Sequence, residues 1–475
     1  MRAIPTTAAV LLVALASRPG AAAQGASDLG TTLPAWSAAP FVGILLSIAL
    51  FPLLAPRFWH RHYPAVAAAW ALVLGVPLVA TYGSIAAYEI LHVALVDYAP
   101  FVILLGTLFT ISGGIHLRGS LRGSPVVNTA ILAIATFLAS WIGTTGAAIL
   151  LIRPLLRANR ERRRKVHTVV FFIFLAANIG GALTPLGDPP LFLGFLHGVP
   201  FFWTVSLWKE MLLVTALTLG AYVALDTYHW RREDPSARAE RAAPGEPLRV
   251  EGWHNLALLA GALAAVIASG VLHLGSFSLL GVTQDLVSLL RNAVLLLIAA
   301  VSWLTTRRGI REKNEFGWGP IREVAILFAG IFTTIIPPLL MLRAGEHGAL
   351  GFLVRSVNTP AEFFWATGLL SSVLDNAPTY LSFLALGLGR LFPGVPEREA
   401  IIRLIAEHNS VLQAIAVGAV FMGANTYIGN APNFMVKSIA EEAGVEMPSF
   451  FGYIVRYVLT CLVPIFLIVT WVFFR

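Results

Sequence analysis

The sequence predicts an all-α polytopic membrane protein made of two inverted repeats, each with about five spans, a re-entrant hairpin and a broken helix. Three observations predict it: a composition too apolar for a soluble surface, basic residues gathered into a few short loops, and a motif that occurs twice. Of the 475 residues, 12% are charged and 57% are hydrophobic, and the mean hydropathy is +0.77. Soluble domains carry about 25% charged residues, so too little charge is present to coat the two or three domains this length would make. Soluble enzymes, nucleic-acid binders and disordered chains are poor readings. The apolar runs are continuous rather than alternating, which excludes a transmembrane β-barrel. The net charge of +8 fits basic cytoplasmic loops rather than nucleic acid. The one cysteine, Cys461, lies in an apolar run and permits neither an internal disulfide nor a thiolate metal cluster.

Residues 1–23 read as a signal peptide, with Arg2, a short apolar stretch and small residues Ala21, Ala22 and Ala23 before Gln24. Apolar segments follow at 38–55, 64–80, 96–115, 126–152, 166–195 and 201–225. A polar stretch over 226–253, mixing Arg, Glu, Asp and Pro, reads as a solvated linker. Beyond it lie segments at 254–273, 275–305, 321–343, 360–387, 411–438 and 450–474. The first repeat is thus 24–225 and the second 254–475.

Positive charge sets the sides. Arg153, Arg157, Arg160, Arg162, Arg163, Arg164 and Lys165 crowd one loop, which belongs in the cytoplasm. Arg307, Arg308, Arg311 and Lys313 mark a second such loop, and the linker is a third. From an outside N-terminus, three spans bring the chain inside at Arg118 and Arg122, yet 126–152 also ends inside. A hairpin that enters and returns resolves this, and 360–387 forms its counterpart from the outside. Treating both as simple spans breaks the charge rule. The parity predicts an inner (plasma) membrane protein with a cytoplasmic linker and an outside C-terminus.

The halves resemble each other. Gly181-Ala-Leu-Thr184-Pro-Leu-Gly187-Asp188-Pro-Pro190 aligns without gaps on Gly423-Ala-Asn-Thr426-Tyr-Ile-Gly429-Asn430-Ala-Pro432, with five of ten positions identical. Prolines and glycines inside apolar segments cost helix stability. Gly187, Pro189, Pro190, Gly429 and Pro432 therefore mark breaks in the helices over 166–195 and 411–438. Paired breaks in two inverted halves point to a site near the bilayer midplane, and non-helical backbone is tolerated there only where protein or a watery cavity satisfies it.

Acids within spans carry a functional expectation. Asp188 lies in the first break and Asp375 at the second hairpin turn, with no Lys or Arg between Asn178 and Pro190 or in either turn. Around them the pattern gathers Thr144, Thr145, Asn178, Thr184, Asn376, Thr379, Asn425, Thr426, Asn430 and Asn433. Unpaired buried carboxylates must take a proton or a cation, so sodium is expected at Asp188 and Asp375, with protons competing for the same oxygens. Each acid also suits a helix cap. Glu89, His92 and Asp97 read as interfacial, and Glu210 beside Lys209 as a structural ion pair or a helix-end charge.

The paired breaks Asn178-Ile-Gly-Gly-Ala-Leu-Thr184-Pro-Leu-Gly-Asp188 and Gly423-Ala-Asn425-Thr426-Tyr-Ile-Gly-Asn430, with the hairpins, resemble the ion transporter superfamily. Its members include NhaD-type sodium/proton antiporters, citrate carriers and arsenite pumps. The resemblance implies an elevator-type carrier, usually a homodimer, whose hairpin tips and broken helices share one site. The Ser-Asn-Thr triplet of the dicarboxylate branch is absent, and Gly143-Thr144-Thr145 and Asp375-Asn376-Ala377 stand at the tips instead. The leading expectation is a secondary active transporter, a sodium/proton antiporter with no cofactor beyond its transported ions. The alternative is a cation-coupled carrier of citrate or a related anion. No His-Glu-x-x-His motif or phosphate loop suggests an enzyme.

Overall fold

The structure, a computed structural model, describes residues 29–119, 121–234 and 249–475. The expected signal peptide and residues 235–248 of the expected linker lie outside the described residues. Among the described residues, eight helices are long and apolar enough to cross a membrane, or up to ten if each bent pair counts as one span. The chain is therefore a multi-pass, all-helical membrane protein apart from two short β-ribbons.

Helices α1 (Ala39–Leu54) and α2 (Pro56–His92) open the chain. The expected span over 64–80 is part of this longer α2, which bends sharply at Gly83, where φ is 59°. Glycine adopts that conformation without a Cβ penalty, so the helix breaks there and a second helical stretch continues at a new angle. It continues through a π-helical stretch (Val93–Tyr98) into α3 (Ala99–Ser112). After β1 (His116–Arg118), α4 (Pro125–Ile142) and α5 (Thr144–Ala158) form the first hairpin, turning on Gly143 at φ 81°. Its ends are tied together: Gly123 N–H donates to Ala158 O at 2.8 Å, and Asn128 and Asn159 exchange amide hydrogen bonds at 2.9 and 2.8 Å. Both arms consequently start and finish on one face of the molecule.

Helix α6 (Val166–Leu175) leaves that face and stops in the interior. A 3-10 turn (Ile179–Leu183) and irregular backbone lead to α7 (Pro189–Leu196). After a second 3-10 stretch (Phe201–Leu207), α8 (Trp208–Arg231) returns. Here the expected linker needs correction, because its first residues are helical and Asp226 is fully buried. Arg162 Nη2 and His167 Nε2 approach its carboxylate at 2.6 and 2.7 Å, so the loop charges reach inward and hold α8. The linker's end is ordered too: β2 (Arg249–Glu251) pairs antiparallel with β1, His116 facing Glu251.

The second half begins with α9 (His254–Val271). The expected span over 275–305 is shorter than its apolar run. Residues 276–285 form a ribbon, β3 (Ser276–Leu279) with β4 (Val282–Asp285), and only then does α10 (Leu286–Thr305) begin. Leu280 and Gly281 both have positive φ, the two-residue turn that matches strand twist. Then come α11 (Arg308–Lys313), α12 (Gly319–Thr334) and α13 (Ile336–Arg343), the last two bent by 43° where Pro337 and Pro338 remove donors. Past α14 (Gly351–Ser356), the second hairpin consists of α15 (Pro360–Val373) and α16 (Asn376–Leu391). A capping box between Thr359 and Glu362 starts it. An unanticipated helix, α17 (Glu397–Glu407), crosses at 101° to α18 (Asn409–Met422). After the second break, α19 (Ala431–Glu442), α20 (Phe450–Tyr453), a π-helical stretch (Ile454–Leu462) and α21 (Val463–Phe473) complete the chain.

The basic loops meet on one face. Arg157 Nη2 donates to Leu117 O at 2.8 Å, Arg153 pairs with Glu315 at 2.6 Å, and Lys313 pairs with Glu251 at 2.8 Å. Four loops far apart in sequence are thereby stitched together. The opposite face carries Asp97, His197, Arg343 and Glu397. Between these faces the helices sort into two packed sets. In one, α12 packs on α1 and α2, and α10 on α3 and α9; in the other, the hairpins and broken helices pack with α8 and α21.

Candidate substrate and ion site

The two breaks are built alike, residue for residue. Ser140 Oγ in the first hairpin donates to Gly180 O at 2.5 Å, and Ser372 Oγ in the second donates to Met422 O at 3.1 Å. Thr184 Oγ1 donates to Ser140 O, and Thr426 Oγ1 donates to Ser372 O at 2.5 Å. Each threonine oxygen also accepts an amide two residues on, Leu186 N at 3.1 Å and Ile428 N at 3.2 Å. These bonds satisfy backbone groups that unwinding leaves open, which is what buried irregular chain requires. Glycine is needed where each break crosses itself: a Cβ on Gly187 would meet Gly181 O, and one on Gly429 would meet Gly423 O.

Four helices then begin at one point. Thr144 and Asn376 are the first residues of α5 and α16, while Asp188 and Asn430 are the residues preceding α7 and α19. Pro189, Pro190 and Pro432, expected as breaks, stand in the first turns of α7 and α19, where a missing N–H costs nothing. All four N-termini turn their positive dipole ends toward this point.

At its centre is Asp188, 1% exposed. Its Oδ1 accepts from Thr144 Oγ1 at 2.9 Å and from Asn430 Nδ2 at 3.1 Å, and its Oδ2 accepts from Asn376 Nδ2. Every donor is neutral. Asn376 Oδ1 is buried without a hydrogen-bond partner, an oxygen that a cation or proton donor would satisfy. Asp375 is half-buried and caps α16, accepting the Ala377 amide at 3.1 Å.

Both acids line one cleft, whose space of about 890 Å³ includes open solvent. Its wall comes from both helix sets: Phe101, Leu108, Val324 and Phe328 on one side, Phe192 and Met435 on the other. Thr144, Thr145 and Asn430 add polar atoms, and among the described residues no Lys, Arg or His lines it. The exposed Pro320 and half-buried Ile321, in the first turn of α12 after the basic loop, also line it.

A family model described as "Putative citrate transport" matches residues 30–474. The chain belongs to this citrate-transport family. It is a membrane transporter, in keeping with its relatives. An uncharacterized transporter of Mycobacterium tuberculosis is 27% identical over 350 residues, covering 69% of this chain and 72% of that protein. An uncharacterized transporter of Mycobacterium bovis matches to the same extent. A 46 kDa membrane protein of Mycobacterium leprae is 26% identical over 352 residues, again 69% of this chain and 72% of the relative.

Within the transporter, the sequence-predicted residues divide by task. Thr144, Asn376 and Asn430 each bond Asp188, and Asp375 and Thr145 line the same cleft. Thr184, Thr426 and Asn433 instead hold backbone, Asn433 Nδ2 reaching Gly423 O and Thr426 O at 2.8 Å each. Asn178 bonds Ile173 O at 2.8 Å and Asn433 Oδ1 at 2.7 Å, joining the two breaks directly. Thr379 Oγ1 returns to Asp375 O at 2.9 Å, and Asn425 Nδ2 bonds Ser372 Oγ at 2.9 Å. Sequence reasoning passed over Ser140 and Ser372 as site supports. Their signal was the matching serine just before each hairpin turn. Of the two readings of Glu210, the helix-end charge holds and the pair with Lys209 does not: Glu210 stands in the first turn of α8, buried with Oε2 unbonded, while Lys209 lies over Trp208.

Proposed function

We propose that this transporter is a secondary carrier that binds its coupling cation at Asp188 and Asp375 and exchanges sodium for protons by alternating access. The single observation that carries the reading is a buried carboxylate held only by neutral donors, in a cleft that no basic side chain lines among the described residues. Such donors solvate a negative charge without cancelling it, so a proton or a hard cation completes the site. Asp375 and the unbonded Asn376 Oδ1 supply further oxygens.

In this reading the two halves are inverted repeats, and the hairpins and broken helices slide as one unit against a frame of α1–α3, α9, α10 and α12. The face that carries the basic loops is cytoplasmic, and the cleft rim at Pro320 and Ile321 opens toward it. The unwound breaks sit near the bilayer midplane, where such interruptions mark transport sites.

A second reading, cation-coupled transport of citrate or a related anion, is favoured by the family description and by the four converging helix N-termini. Acids that have bound cations would present positive charge to such an anion.

Everted vesicles separate the two. Sodium or lithium added to vesicles acidified inside collapses the pH gradient if the first reading holds, measured by a fluorescent ΔpH probe between about pH 7 and 9. Citrate uptake without any sodium-induced collapse would favour the second.

A further inference from the structure

On the face opposite the basic loops, four side chains form a line across the junction of the two helix sets. Asp97, in the π-helical stretch before α3, belongs to the frame, while Arg343 ends α13, which packs on α16 of the second hairpin. His197, which closes α7, and Glu397, which opens α17, belong to the unit with the broken helices. His197 Nδ1 lies 3.0 Å from Glu397 Oε1, and His197 Nε2 lies 3.5 Å from Asp97 Oδ1. Arg343 Nη1 reaches Glu397 Oε2 at 2.7 Å. One link, Asp97 to His197, therefore crosses from frame to unit on the side away from the cleft's rim, and Arg343 holds Glu397 beside it.

Both ring nitrogens of His197 face a carboxylate. A neutral imidazole donates from one nitrogen only and would turn a lone pair toward the other acid. The imidazolium donates from both, so the arrangement fits the doubly protonated ring. The weaker contact is the one across the junction: Nε2 makes no hydrogen bond of good geometry and relies on charge.

We propose that His197 is a proton-binding latch: doubly protonated, it bridges Asp97 and Glu397 and holds this face closed, and on losing one proton to water it releases Asp97. The proposal rests on the sliding-unit reading above but not on the identity of the transported ion. The charged and titratable groups facing the cluster are Glu89 and His92 from α2, Asp97, Glu397 and Arg343. His197 itself lies beyond the spans. Burial alone lowers its affinity for the proton, but the charges of Glu397 and Asp97 outweigh this and raise it to about 9. The sign follows: the bridge is complete at neutral pH and is lost as pH rises through about 9.

Hydrogen exchange on the purified full-length protein tests the latch without any transport assay. After correction for intrinsic exchange, amides of 193–199 should keep constant protection from about pH 7 to 8, then lose it roughly tenfold per pH unit above 9. His197→Gln should show the low protection already at pH 7, with no further step. His197→Lys keeps a cation and should move the step upward, toward about 10.4. Asp97→Asn, which leaves the Glu397 contact in place, should abolish the step should the glutamine variant fold poorly. Wild-type protection unchanged through pH 10, or a step that persists in both His197→Gln and Asp97→Asn, overturns the latch. Asp188→Asn should leave the step intact, so loss of transport there and loss of the latch are read separately.

Discussion

The two breaks share a frame and differ in charge. In the first, the acid stands in the break itself, at Asp188, and the hairpin tip is Gly143-Thr144. In the second, the break carries the amide Asn430 and the acid has moved to the tip, at Asp375-Asn376. Yet Ser140 and Ser372, Thr184 and Thr426, and the crossing glycines repeat the same contacts. Structure can be duplicated because irregular backbone in lipid must be satisfied wherever it occurs. Chemistry is not duplicated: Asn430 donates to Asp188, which a second aspartate in ionised form would not do. One copy supplies the buried charge, and the other supplies the donor that solvates it.

That asymmetry can be broken by making the copies alike. The largest effect is expected from Asp188→Asn, which gives the first break the residue of the second: cation-driven ΔpH in everted vesicles should vanish while the protein still runs as a folded species in size-exclusion chromatography. Next, Gly187→Ala and Gly429→Ala each push a methyl group into a backbone carbonyl. Each should lower stability by about 2–3 kcal/mol, seen as lost thermal stability in detergent, and the two should behave similarly because the frame is shared. Asp375→Asn tests the half-buried acid. It should keep transport but raise the cation concentration for half-maximal response about tenfold, equivalent to about 1.4 kcal/mol. The smallest change in cation response is expected from Ser372→Ala, which removes the hydroxyl that bonds Gly368 O, Met422 O and Asn425 Nδ2 and should cost about 1–3 kcal/mol of stability.

Much of this was legible in the sequence because membrane burial leaves strong traces. Continuous apolar runs gave the spans, and the doubled Gly-x-x-Thr-x-x-Gly pattern located both breaks. Asp188 stood out because a carboxylate within an apolar segment needs a reason. What was less legible depended on partners distant in sequence. The ribbon over 276–285 shares its apolar character with α10, so hydropathy merged the two. Asp226 was read as linker because Arg162, its partner, lies 64 positions earlier. The division of the polar set into residues that bond Asp188 and backbone supports could not be read either, since Thr144 and Thr184 differ only in which way the chain carries them. His197 gave no signal at all, because its two carboxylates come from opposite halves of the chain.

The central claim is that Asp188 is where cation and proton compete. Isothermal titration of sodium into the purified protein, repeated in buffers of different ionisation enthalpy, counts the protons displaced on binding. Proton release in the wild type that disappears in Asp188→Asn is the result this account predicts. Sodium binding with the same proton release in both proteins would contradict it.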